Sequence, residues 1–120
     1  MPNPVTWFEI TGKSGPNLMK YYADVFGWKV DANNPMAYGM VDTQSGKGIY
    51  GGIGAAQDAK GWVTIGIEVD DPQVYLDKAI AMGGTLVEPV TVIPNMVTLG
   101  RFADPDGNMV IVYKGMSPNS

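Results

Sequence analysis

The stretch Ser14-Gly15-Pro16-Asn17-Leu18-Met19-Lys20-Tyr21-Tyr22-Ala23-Asp24-Val25-Phe26-Gly27 reads as one complete helix, and its plan returns 57 positions later. Ser14 can cap the first turn, Pro16 suits a helix start, and Leu18, Tyr22, Val25 and Phe26 recur at helical spacing before Gly27 supplies a left-handed stop. At the offset of 57, Asp71 lies over Ser14, Tyr75 over Leu18, Met82 over Val25 and Gly84 over Gly27. The second helix then starts at Pro72, with Val74, Tyr75, Ala79 and Met82 on its apolar side and Gly83-Gly84 ending it. Few letters are identical, so the repeat lives in the pattern.

The same order of elements surrounds each helix. Val5-Thr6-Trp7-Phe8-Glu9-Ile10 is β-branched and aromatic, bounded by Pro4 and Gly12, and reads as a strand. Strand patterns follow the first helix at Trp28 to Asp31, Met36 to Val41 and Gly48 to Gly54. In the second half, Trp62 to Val69 precedes the helix, and Thr85 to Glu88, Met96 to Phe102 and Met109 to Tyr113 follow it. The chain is therefore expected to be α+β, with two βαβββ modules at about 1–57 and 58–120 joined near Ala55 to Lys60. Asp104-Pro105-Asp106-Gly107 is the reverse turn that launches the last strand.

Composition limits the chemistry. The 120 residues are 45% apolar and 17% charged, as a folded domain requires, and the net charge of -4 with no Lys/Arg cluster argues against nucleic acid. There is no cysteine for a disulfide or thiolate, and no histidine, which removes the commonest metal ligand and the commonest base at neutral pH. No leader-like segment or apolar run of transmembrane length is visible, so a cytoplasmic protein without a membrane partner is expected.

Four motifs in order, Trp7-Phe8-Glu9-Ile10, Tyr21 to Trp28, Val69-Asp70-Asp71-Pro72 and Asp104-Pro105-Asp106-Gly107-Asn108, resemble the vicinal oxygen chelate superfamily of glyoxalase I, bleomycin resistance proteins and extradiol dioxygenases. The resemblance covers essentially the whole chain. It implies a curled mixed sheet around a shared cleft, a homodimer, and metal ligands on the first and last strands of each module. Carried over by position, those ligand places are Trp7, the strand Ile49 to Ile53, Thr64 and Ile111. None bears a carboxylate, imidazole or thiolate, so no metal and no other cofactor is expected.

Strand alternation places Val5, Trp7, Glu9, Trp62, Thr64, Met109, Ile111 and Tyr113 on the face that the resemblance assigns to the cleft, with Tyr50 and Tyr38 beside them. The opposite parity, Phe8 with Ile10 and Val63, Ile65, Ile67 with Val69, should lie under the helices. Trp7, Glu9, Tyr50, Trp62, Thr64, Met109, Ile111 and Tyr113 are the candidate ligand contacts, and Glu9 and Glu68 the candidate proton-transfer groups. Gly51-Gly52 reads as a bulge or a tight corner.

Two functions fit this set. One is a metal-independent protein that binds a planar or amphiphilic small molecule, antibiotic sequestration being one form. The other is a lyase or isomerase of the same superfamily, either metal-free with a Glu base or metal-dependent through ligands not recognised in the sequence.

Overall fold

A computed structural model describes residues 2–56, 58 and 60–115 of the chain. The fold is α+β with the expected element order: β1 (Val5–Gly12), α1 (Gly15–Phe26), β2 (Lys29–Asp31), β3 (Gly39–Asp42), β4 (Tyr50–Ala55), β5 (Trp62–Glu68), α2 (Pro72–Ala81), β6 (Thr85–Ile93), β7 (Val97–Ala103) and β8 (Met109–Gly115). Two compact units divide the chain, Trp7–Thr64 on the one hand and Met1–Thr6 with Ile65–Ser120 on the other.

In the unit Trp7–Thr64 the strands run β2-β3-β4-β1, with β1 parallel to β4 and the other pairs antiparallel. Its helix α1 starts where the sequence requires, the Ser14 hydroxyl accepting from Asn17 N at 3.3 Å. It stops at Gly27 (φ 72°), whose N–H bonds Ala23 O at 2.9 Å. Leu18, Met19 and Tyr22 project onto a core of Ile10, Val41 and Ile53. Tyr22 also stacks on Trp28 at 5.5 Å between ring centroids and on Phe26 at 6.1 Å, while Tyr21 remains 58% exposed. The aromatic seam thus closes one flank of the helix.

In the other unit the order is β5-β8-β7-β6, again one parallel pair followed by antiparallel ones. Asp71 caps α2, accepting from Gln73 N at 3.1 Å and Val74 N at 3.4 Å. The buried side of α2 differs from the expected stripe: Leu76 is the fully buried residue, with Tyr75 and Ile80 packed against the same core, while Val74 and Met82 are exposed. Leu76 and Ile80 lie one turn apart and stay within reach of Val69 and Val112, which Val74 and Met82 do not. A further difference is β6, which runs past Glu88 to Ile93 despite Pro89. It is the end strand of its unit's order and carries register shifts on both sides of Glu88, the two settings in which a strand tolerates proline.

The helix-covered parity also needs correction along β5. Val69 is buried and Ile67 half-buried, but Ile65 is 41% and Val63 77% exposed. Ile67 and Val69 join the core with Leu76, and Ile65 of the same unit lies outside it.

Candidate functional site

The unit Trp7–Thr64 presents its chemistry on the face of its sheet away from α1. Phe8 and Ile10 point under the helix, so Trp7, Glu9 and Thr11 point the other way, beside Tyr50, Gly52 and Gly54 of the parallel neighbour. The loop before β3 brings a tyrosine over these glycines. Asn34 organises that loop, its side-chain oxygen accepting from Met36 N and Tyr38 N, each at 3.1 Å, and its amide donating to Tyr38 O at 2.7 Å. Tyr38 is thereby held so that a Cβ on Gly52 would come within 1.8 Å of its hydroxyl oxygen, and one on Gly54 within 3.2 Å of its ring. On the opposite face a Cβ on Gly51 would meet the Phe8 ring at 2.2 Å. The glycines of β4 are therefore clearances for two aromatic rings. The expected bulge is not there, because the ladder from Trp7↔Tyr50 to Gly12↔Ala55 advances one residue at a time.

Glu9 sits at the centre of this face, 5% exposed. Tyr38 OH donates to Glu9 Oε2 at 2.8 Å, and Trp62 Nε1 donates to Glu9 Oε1 at 2.7 Å. Trp7 Nε1 donates to Tyr38 OH at 3.4 Å, and Trp62 N to the Thr11 hydroxyl at 3.0 Å. Each carboxylate oxygen thus holds a neutral donor, and bonds of this kind stabilise by about 1.5–3 kcal/mol each. The arrangement fixes two indoles and one phenol around a single carboxylate.

Next to Trp7 the surface opens into a hollow of about 370 Å³ lined by Trp7, Tyr50, Met40 and Val41, with Lys29, Asp31 and Asp42 at its polar side. Tyr50 is 60% and Met40 40% exposed, so flat and flexible apolar groups meet solvent here. Asp31 Oδ1 accepts from Asn33 N and Asp42 Oδ1 from Gln44 N, both at 2.8 Å, which orients the two carboxylates within their turns. Two acidic groups against one ammonium make the rim favourable to a cationic substituent. Lys29, Asp31, Met40 and Asp42 were not among the sequence candidates. The signal available was the period-two pairing of β2 with β3, which puts Lys29 opposite Asp42 and Asp31 opposite Met40.

The remaining candidates lie in the other unit. Ile111 is buried, Met109 and Tyr113 are half-buried along β8, and Val112 occupies the core under α2. Asp104 sets the turn before this strand: its carboxylate accepts from Asp106 N, Asn108 N and Asn108 Nδ2, each at 2.9 Å. Those bonds, the Asn108 side chain first, hold its carboxyl below the ordinary range. Glu68 is exposed and accepts from the Thr6 hydroxyl at 3.0 Å. Thr6 has one proton to give, so its contact with Tyr113 OH is one in which the phenol donates. Burial pushes the Tyr113 phenol above its ordinary value, and the Glu68 charge adds to the rise. Arg101, level with Ile111 on β7, pairs with Glu88 at 2.7 Å.

The structure thus joins Trp7, Glu9 and Trp62 in one network, sets Tyr50 beside Trp7, and buries Thr64 to 6% exposure on β5. Glu68 and Tyr113 meet through Thr6, a residue the sequence reading left out. The places that the resemblance assigned to metal ligands hold Trp7, Thr64, Ile111 and the Tyr50-Gly51-Gly52 run. Among the described residues no group of three or more His, Cys, Asp or Glu could hold a metal ion. This donor set does not fit a divalent ion.

The family model described as Glyoxalase/Bleomycin resistance protein/Dioxygenase superfamily matches residues 5–112. No curated protein matches the sequence. Among solved structures, methylmalonyl-CoA epimerase from Mycobacterium tuberculosis superposes with a TM-score of 0.65 at 10% identity, over 94% of this chain and 88% of that one. The Mn(II)-bound glyoxalase from Novosphingobium aromaticivorans gives 0.62 at 19% identity, over 94% and 40%. The 2,2',3-trihydroxybiphenyl 1,2-dioxygenase from the dibenzofuran-degrading Sphingomonas wittichii strain RW1 gives 0.61 at 14% identity, over 98% and 42%. At such identities the likeness is one of fold.

Proposed function

Because the chain belongs to the Glyoxalase/Bleomycin resistance protein/Dioxygenase superfamily, we propose that it uses this fold as a metal-independent binding protein for a planar or amphiphilic small molecule. The observation that carries the reading is the Glu9 network. The buried carboxylate of Glu9, on the face of Trp7, is engaged by Tyr38 and Trp62, so it serves to fix aromatic surfaces. Trp7 and Tyr50 then offer flat apolar area at the mouth of the hollow, where stacking on a planar ligand adds about 0.5–1.5 kcal/mol per ring pair beyond area burial. Asp31 and Asp42 favour a ligand carrying a basic nitrogen. Antibiotic sequestration is one use of such a site, and the protein acts as a homodimer in the cytoplasm under this proposal.

A second reading is favoured by the chain Tyr113 OH to Thr6 to Glu68. Three groups that pass one proton direction, ending on an exposed carboxylate, suit a metal-free lyase or isomerase with Glu68 as base and Tyr113 as donor. The two readings separate in one experiment. A thermal-shift screen of planar amines and related amphiphiles, in the presence of a chelator, identifies ligands by the rise in Tm that follows from binding the folded state. Binding without turnover, lost in Trp7→Ala and retained in Glu68→Gln, supports the first. Turnover abolished by Glu68→Gln with affinity kept supports the second.

A further inference from the structure

The unit that contains α2 carries a second cavity, and its walls have a consistent chemistry. Tyr75, Lys78, Ala79 and Met82 stand at i, i+3, i+4 and i+7, one stripe along α2 and its cap. Facing them, Ile67, Val69, Phe102 and Val112 form an apolar floor. The space between is an open groove of about 350 Å³, with Asn3 at its margin. Leu76 packs at the centre of this core with Ile80, Tyr75 and Ile67 around it, and the groove follows the Tyr75 and Ile67 edge of that packing. Met82 is 74% exposed at one end, so the groove opens to solvent there.

Among the described residues Lys78 is the one charged side chain in the groove's lining. It is exposed and forms no ion pair among the described residues, in a chain whose net charge is -4. A lysine lays its methylenes on apolar surface and keeps its ammonium at the water boundary, which puts a cation at the mouth of an oily slot. We propose that this groove is a separate binding site for an alkyl carboxylate, the chain lying on Ile67, Phe102 and Ala79 and the carboxylate pairing with Lys78. A cationic amphiphile of equal length would find no acidic partner in the lining, and a neutral one would forgo the ion pair. The inference is independent of the function proposed for the face around Trp7.

Calorimetric titration of the full chain with octanoate, decanoate, decanol and decylamine, all below their aggregation concentrations, tests it. The account expects one decanoate per chain and affinity that rises up to about fourfold for each methylene added between octanoate and decanoate. Decanoate should bind at least fivefold more tightly than decanol, and Lys78→Met should erase that preference while leaving decanol unaffected. Ala79→Phe should fill the groove and abolish binding of both. Should that variant fail to fold, Met82→Glu at the exposed mouth should weaken decanoate selectively by repulsion. Equal binding of decylamine, affinity independent of chain length, or insensitivity to Lys78→Met would each overturn the proposal. So would a concentration-dependent dimer that Met82→Glu dissociates, since a second copy would then cover the groove.

Discussion

Replacing Tyr38 by Phe removes the hydroxyl on which the binding face depends. The ring keeps its place over Gly52 and Gly54, and the hydroxyl that donates to Glu9 Oε2 at 2.8 Å and accepts from Trp7 Nε1 at 3.4 Å is lost. Glu9 is 5% exposed, so water does not readily substitute for that donor, and the cost expected for a hydrogen bond to a buried charge is about 1.5–3 kcal/mol. For a chain of 120 residues this corresponds to a fall in Tm of roughly 5–15 °C. Tyr21→Phe is the control, since that phenol is 58% exposed and its loss should cost no more than about 0.5 kcal/mol. Urea unfolding followed by tryptophan fluorescence and circular dichroism gives both numbers, with unchanged m-values as the check that the unfolded state is the same. A cycle with Glu9→Gln should show coupling of about 0.5–3 kcal/mol between positions 9 and 38. A Tyr38→Phe cost equal to that of Tyr21→Phe, or strict additivity in the cycle, would refute the claim that Glu9 organises this face.

Gly52→Ala should destabilise at least as much as Tyr38→Phe, because the new Cβ would displace the ring whose hydroxyl lies 1.8 Å away, and it should become nearly neutral in a Tyr38→Ala background. Ile53→Ala, at a side chain with 0% exposure in the core beneath α1, should cost about 2–5 kcal/mol in the same unfolding assay. Asp104 has a lowered folded-state value, so its contribution is present above the ordinary carboxyl value of 3.8 and is lost as pH falls through the folded value below it. Asp104→Ala should therefore lower Tm at pH 7, with the gap to the unaltered protein closing in a thermal scan series as pH falls below 3.8 and on through the lower folded-state value.

Much of the fold was legible because its signals are local. Ser14, Gly27 and Asp71 act at the helix ends through bonds spanning a few residues, and capping chemistry of that range can be read from the letters. Alternation placed Trp7 and Glu9 on one face and Phe8 and Ile10 on the other, since period two is a property of the strand itself. What failed depended on distance in sequence. That Val63 and Ile65 are exposed depends on which elements pack on β5, and no feature of β5 encodes it. On α2 Tyr75 was placed correctly, but Val74 and Met82 were assigned to the buried side and Leu76 was missed, because apolar residues stand on more than one side of that helix and only its partners decide between them.

The site was legible in composition more than in geometry. Trp7, Glu9 and Trp62 were named, but Tyr38 entered only as a neighbour, although its hydroxyl is the hinge of the network. Its placement depends on Asn34, whose side chain bridges the loop to both Met36 and Tyr38, a tertiary detail with no periodic signature. The β4 glycines carried the clearest unused signal. Three glycines within Tyr50–Ala55 mean that something large lies close on that strand, and here it is Phe8 on one side and Tyr38 on the other.

The most direct test of the central claim is a calorimetric titration of chelator-treated protein with the strongest ligand from the thermal-shift screen, run side by side on the unaltered chain and Trp7→Ala. Metal-independent binding on the face of Trp7 and Tyr50 predicts one ligand per chain, tryptophan fluorescence that changes in step with the heat, and at least a tenfold loss of affinity in Trp7→Ala. Binding that appears only after a divalent ion is restored, or that Trp7→Ala leaves intact, would contradict it.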